Sequence, residues 1–199
     1  MKKSIRIFLA LVAGLFFSSP VWASACVPET GEWAQIKKSP TQDELSGLRR
    51  LRFYGPKIIS GPRGIIGDSR LGGTYALKIT RNNQNWLFQF QQSGNVAGSL
   101  TLHLPAAWTF FQAQTQAPEG DDAVMYKEIR LEGRLAGAGL FAGPPTPVSY
   151  RLILQGRGGR CFEPGQLTRW VLQVHGPDPQ NPLSGRNVLY YWLLGHLSS

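Results

Sequence analysis

From Tyr75 onward the apolar residues of this chain recur at every second position, a period that only strands satisfy. Tyr75, Leu77 and Ile79 alternate with Ala76, Lys78 and Thr80. Beyond the turn signal Asn82-Asn83-Gln84-Asn85, Trp86, Phe88 and Phe90 alternate with Leu87, Gln89 and Gln91. Ser93-Gly94-Asn95 turns the chain again, and Val96, Gly98, Leu100, Leu102 and Leu104 carry the pattern on. Successive side chains of a strand point to opposite faces, so this alternation buries one face and leaves the other to water. Residues 75–104 therefore predict a three-stranded meander.

Further strands follow with less regular spacing. Residues 105–122, with Pro105, Trp108, Phe110, Phe111 and a terminal Asp121-Asp122, predict a strand fragment running into a loop. Between Met125 and Arg134 the alternation is imperfect, because Lys127 shares the side of Met125, Ile129 and Leu131. An inward charge of that kind suits an edge strand, where it discourages further pairing. The Gly/Ala/Pro-rich run Leu135–Pro147 predicts a loop. Val148–Leu154, Trp170–Val174 and Val188–Leu194 predict strands separated by Gly156-Arg157-Gly158-Gly159-Arg160 and Gly176-Pro177-Asp178-Pro179. Roughly seven to nine strands, frequent turns and one short helix predict a mostly β fold, an antiparallel β-sandwich or a small β-barrel.

The helix is predicted ahead of the strands. Thr41-Gln42-Asp43-Glu44 is a capping-box pattern, in which Thr41 accepts from first-turn amides and Glu44 reaches back. Leu45, Leu48 and Leu51 follow at helical spacing, predicting a helix over 42–52 with Arg49, Arg50 and Arg52 crowding its last turn. Residues 26–40 read as an irregular arm. Gly55-Pro56-Lys57-Ile58-Ile59 and Gly61-Pro62-Arg63-Gly64-Ile65-Ile66 form a short imperfect duplication, whose Gly and Pro predict turns anchored by Ile pairs.

The first residues predict export. Lys2, Lys3 and Arg6 precede an apolar run from Ile7 to Phe17, and Ala23-Ser24-Ala25 supplies the small residues of a cleavage site. The run has 11 residues, against about 20 needed to span a bilayer as a helix. Residues 1–25 are thus expected to be a signal peptide and 26–199 a single β-rich domain, with arm, helix and basic loop over 26–74 and strands over 75–199. The signal segment carries three of the 21 basic residues and none of the 12 acids, which leaves the remainder at a net charge of +6. The expected location is the bacterial periplasm, with secretion or a lipid anchor as alternatives.

Cys26 and Cys161 bear on that choice. In an oxidising compartment two thiols are expected to pair, and closing so long a loop contributes about 4–5 kcal/mol in the chain-entropy picture. The alternative is a lipidated Cys26, since Ala23-Ser24-Ala25-Cys26 ends as a lipobox ends, although Ala23 stands where Leu is usual.

Nucleophile-elbow, phosphate-loop, dinucleotide, zinc and calcium-loop spacings are absent from the sequence. His103, His175 and His196 have no second ligand type at metal spacing, so no metal and no cofactor are expected. Glu128, Arg130 and Glu132 read as a solvated, charge-paired face. The stronger signal is basic. Arg49, Arg50, Arg52, Lys57, Arg63 and Arg70 fall within 22 residues that hold a single acid, Asp68. Guanidinium forks and glycine-exposed amides both favour anions, and Arg157 and Arg160 are candidates to join from later in the chain. Trp108, Phe110 and Phe111, if on a loop, are candidates for contact with a sugar ring or a membrane interface.

These features predict a non-enzymatic envelope protein that binds an anionic group on a lipid, a glycan or an acidic protein surface. Peripheral membrane contact is compatible with this reading; nucleic acid fits the charge but not the compartment. The alternatives are a small barrel carrying an apolar ligand and, lower, an envelope hydrolase.

Overall fold

The computed structural model describes residues 33–60, 75–114, 125–142, 148–158, 164–178 and 180–198. The expected signal segment, Cys26 and Cys161, Arg63 and Arg70, Asp121-Asp122 and Arg160 lie outside them. The fold is mostly β, a single antiparallel sheet nearly closed into a barrel.

The predicted meander is present as β3 (Ala76–Arg81), β4 (Asn85–Gln92) and β5 (Asn95–His103). Its turn is held by the Asn82 side chain, which accepts from the amides of Gln84 and Asn85. The later strands are β6 (Trp108–Gln114), β7 (Met125–Gly139), β8 (Ser149–Gly158), β9 (Leu167–Pro177) and β10 (Asn187–Ser198). An early strand, β2 (Arg52–Ser60), pairs with β10, so the wall runs β2-β10-β9-β8-β7-β5-β4-β3. Its two ends, β2 and β3, lie side by side, with no backbone ladder between them among the described residues. That gap is the seam of the barrel.

Four expectations are corrected. Met125–Arg134 is not an edge: β7 pairs with β8 along 125–134, with β6 over 125–130 and with β5 over 135–139. Lys127 is buried inside the sheet, and its ammonium donates to the Gln166 side chain instead of guarding an edge. The expected loop from Leu135 is strand as far as Gly139, because small residues fit where Gly98 and Leu140 approach closely. Part of the expected irregular arm is a strand, β1 (Trp33–Lys38), laid along β6. One of its faces is exposed and the other only half-buried, and with Trp33 on the exposed face and Lys38 on the other the hydrophobic alternation that would have marked it is lost. The Gly55-Pro56 turn is a bulge within β2: Gly55 takes φ +57°, and the β10 register slips between Leu194 and His196 opposite it.

The helix α1 (Gln42–Arg50) carries the predicted capping box, with Glu44 N–H donating to Thr41 Oγ1 at 3.2 Å and Thr41 N–H to Glu44 Oε2 at 2.8 Å. Leu48 and Leu51 bury completely and seat the helix on the core, beside the 3-10 turn Pro164–Gln166. Inside the barrel, the Phe53 ring meets Trp86, Phe88 and Trp170 at 6.1, 5.6 and 5.5 Å. Phe90, Phe141 and Tyr191 form a second aromatic stack. These rings occupy the interior that an apolar ligand would need. Trp108 and Phe110 belong to the same core and sit on a strand, not a loop; Phe111 faces outward beneath the Arg130 guanidinium, 4.0 Å from its ring centre. No helix among the described residues is long and apolar enough to cross a membrane.

Candidate functional site: a basic cleft at the barrel seam

The chain leaves α1 at Leu51 in an extended conformation and enters β2 at once, so the last helical turn sits at the mouth of the seam. A helix end leaves carbonyls without intrahelical partners. Here they are met from across the seam: Arg81, the last residue of β3, donates to Arg49 O at 2.6 Å and to Leu51 O at 2.8 Å. Its guanidinium also lies over the rings of Phe53 and Trp86, at 5.0 and 5.1 Å. Burial pulls its pKa down to about 10, which leaves it charged at neutral pH. Where a ladder would complete the barrel, one side chain ties β3 to the start of β2.

Around this tie lies an open cleft of about 570 Å³, lined by residues 49–55, from the end of α1 into β2, and by Tyr75 with residues 76–79 and 81 of β3. Arg49, Arg50, Arg52, Lys78 and Arg81 contribute five cations to its lining, and among the described residues no carboxylate lines it. Among the described residues the ion pairs hold Lys38, Arg130 and Arg151, not these side chains. Arg49 donates to the Asn83 side chain, which fixes its direction at the rim. Tyr54, half exposed, has its phenol pKa lowered by hydrogen bonds to Ser198 first and Arg52 second.

Of the six predicted basic residues, three meet at this cleft. Lys57 lies further along β2, opposite Leu194, and Arg63 and Arg70 are outside the described residues. Lys78 and Arg81 escaped the sequence reading. They stand on the polar side and at the end of a regular strand, and what brings them to the cleft is a segment about 30 residues earlier in the chain. The faint signal was that β3 carries two cations and no acid.

A second group of polar side chains lies on the β7-β8-β9 wall, where Glu132, Ser149, Arg151 and His175 line one shallow cleft. Ser149 Oγ donates to the main-chain carbonyl of His175 at 3.5 Å, and Glu132 is paired with Arg151. A nucleophile needs a hydrogen-bonded base oriented by a third group, and these contacts do not form that relay. Glu128 is likewise not the solvated residue its alternation predicts. It is buried at 4% exposure and accepts from Tyr126 Oη at 2.7 Å, Gln155 Nε2 at 3.1 Å and Arg130 Nε. Among the described residues no three His, Cys, Asp or Glu side chains gather as a metal-holding group.

Burial, and secondarily Arg151, lower the pKa of His175 from 6.5, against an opposing pull from Glu132. Between the folded value and 6.5 the unfolded chain therefore binds more protons than the folded one. The contribution of neutral His175 is complete above 6.5 and is lost as pH falls toward the folded value. The urea midpoint is expected to drop between about pH 7.5 and about pH 5.5, and to drop less in His175→Gln. Identical drops in both proteins would assign the effect elsewhere.

No protein-family model matches the chain, and neither a curated protein nor a solved structure matches it.

Proposed function

We propose that this chain is an exported, non-enzymatic binding protein of the cell envelope that holds an oxyanion in the cleft at the barrel seam. The observation that carries the reading is the convergence of Arg49, Arg50, Arg52, Lys78 and Arg81 on one open cleft, lined among the described residues by no carboxylate. Arg81 is fixed by its two carbonyl contacts and sets a positive floor. Arg50 and Arg52 are exposed, and among the described residues no ion pair engages their guanidinium forks. Such forks match the paired oxygens of a phosphate or carboxylate, on a lipid headgroup, a glycan or an acidic protein surface. An apolar cargo is the weaker reading, because aromatic rings fill the interior.

Pyrophosphate is a compact probe for the cleft. Binding by calorimetry is expected to weaken with added salt and to fall at least roughly tenfold in the triple variant Arg49→Ala, Arg50→Ala, Arg52→Ala, since each charge-assisted contact is worth about 1.5–3 kcal/mol. Unaltered affinity in the triple variant removes the proposal.

A further inference from the structure

We infer that the anion held at the seam is one end of a linear polyanion, which continues across the outer wall of β10 and β9 to a second pair of arginines. The inference rests on the proposed function and extends it from a compact anion to a chain of repeating oxyanion groups.

The strand register supplies the path. Tyr54 of β2 stands opposite His196 of β10, His196 stands opposite Arg169 of β9, and Arg169 stands opposite Gln155 of β8. Tyr54, His196 and Arg169 are all exposed, so this row runs along the outer surface. With neighbouring strands about 4.8 Å apart, it spans about 15 Å from β2 to β8, perpendicular to the strands. Its near end is the seam cleft. At its far end is another cleft, of about 450 Å³, whose lining includes Arg157, Thr168 and Arg169.

The charges at that far end are available. Among the described residues the nearby carboxylate is Glu128, but it is buried and engaged by Tyr126, Arg130 and Gln155. Among the described residues no ion pair engages Arg157 or Arg169. No acid stands in the row between the two clefts. The surface is therefore a basic band with a guanidinium pair at each end, Arg50 with Arg52 and Arg157 with Arg169. A compact anion fills one end. A chain long enough to reach both makes its second contact intramolecularly, and its affinity rises without any new kind of contact. The repeat that meets these requirements is a phosphate or a sulfate, carried on an inorganic chain or on a sugar polymer.

The test is calorimetry with pyrophosphate, long-chain inorganic polyphosphate, and a sulfated oligosaccharide beside its monosaccharide unit. Wild-type protein is expected to bind at least one polymer roughly tenfold or more tightly than its short counterpart, after correction for the number of anionic groups. The polymer with the larger gain identifies the repeat. Arg157→Ala with Arg169→Ala is expected to abolish the gain and leave pyrophosphate affinity unchanged, and Arg169→Glu to do so with a single substitution. Circular dichroism and the thermal midpoint establish that these exposed-site variants are folded. No length advantage in wild type, or an undiminished one in the folded variants, overturns the band and leaves the seam site standing. Loss of pyrophosphate binding in the Arg49, Arg50, Arg52 variant is the separate result on which the seam site depends.

Discussion

Arg81→Ala is expected to lower the unfolding free energy by about 3 kcal/mol and to loosen the seam. Two charge-assisted hydrogen bonds, to Arg49 O and Leu51 O, disappear with the side chain, each worth about 1.5–3 kcal/mol. The contact with Phe53 and Trp86 adds about 1 kcal/mol. Against this, removing a buried cation relieves its desolvation cost, visible in the lowered pKa. The carbonyls of the helix end are then left facing the seam without their donor. Arg81→Lys is expected to recover less than half of the loss, because an ammonium lacks the planar fork that reaches two carbonyls while lying on a ring. Urea unfolding followed by tryptophan fluorescence reads the change, with Trp86 and Trp170 both in the affected cluster. Amide exchange should quicken at residues 49–53. Full stability in the alanine variant would mean that the seam is closed by something other than Arg81.

Gly195→Ala is the second large effect, also about 3 kcal/mol, and it acts on the other side of β2. Gly195 lies opposite the Gly55-Pro56 bulge, where a Cβ would run into the Tyr54 carbonyl and come within 2.6 Å of the Trp170 indole nitrogen. Neither neighbour can yield cheaply: one is backbone, and the other is a fully buried ring whose Nε1–H donates to Tyr54 O at 3.4 Å. Overpacking of a tight core costs about 1–3 kcal/mol, and disturbing the indole contact adds about 1 kcal/mol. Because Trp170 packs on Phe53 and Phe88, the expected signature is a lowered urea midpoint with altered tryptophan emission. An alanine variant as stable as the parent would show that β2 and β10 have room to separate there.

What the sequence revealed about this fold follows the range of the forces involved. The capping box of α1 and the β3-β4-β5 meander were legible because their signals are local: a Thr and a Glu three residues apart, and a period of two between turn residues. The central position of β7 was not. Lys127 has the pattern of an edge guard, and it needs Gln166, 39 residues away, to become a buried interior residue. β1 escaped because it buries neither face, and Gly55-Pro56 misled because a bulge and a turn draw on the same residues. The site divides in the same way. Arg49, Arg50 and Arg52 were visible as a cluster at a helix end, whereas Lys78 and Arg81 join them through closure of the barrel, which no local pattern records.

The most direct test of an anion held at the seam is amide chemical-shift mapping of the isotope-labelled protein during titration with pyrophosphate. Saturable shifts concentrated in residues 49–55 and 75–81, and suppressed by salt, are the predicted result. Shifts scattered over the barrel, or gathered on the wall around Glu132 and His175 while the seam stays silent, would contradict it.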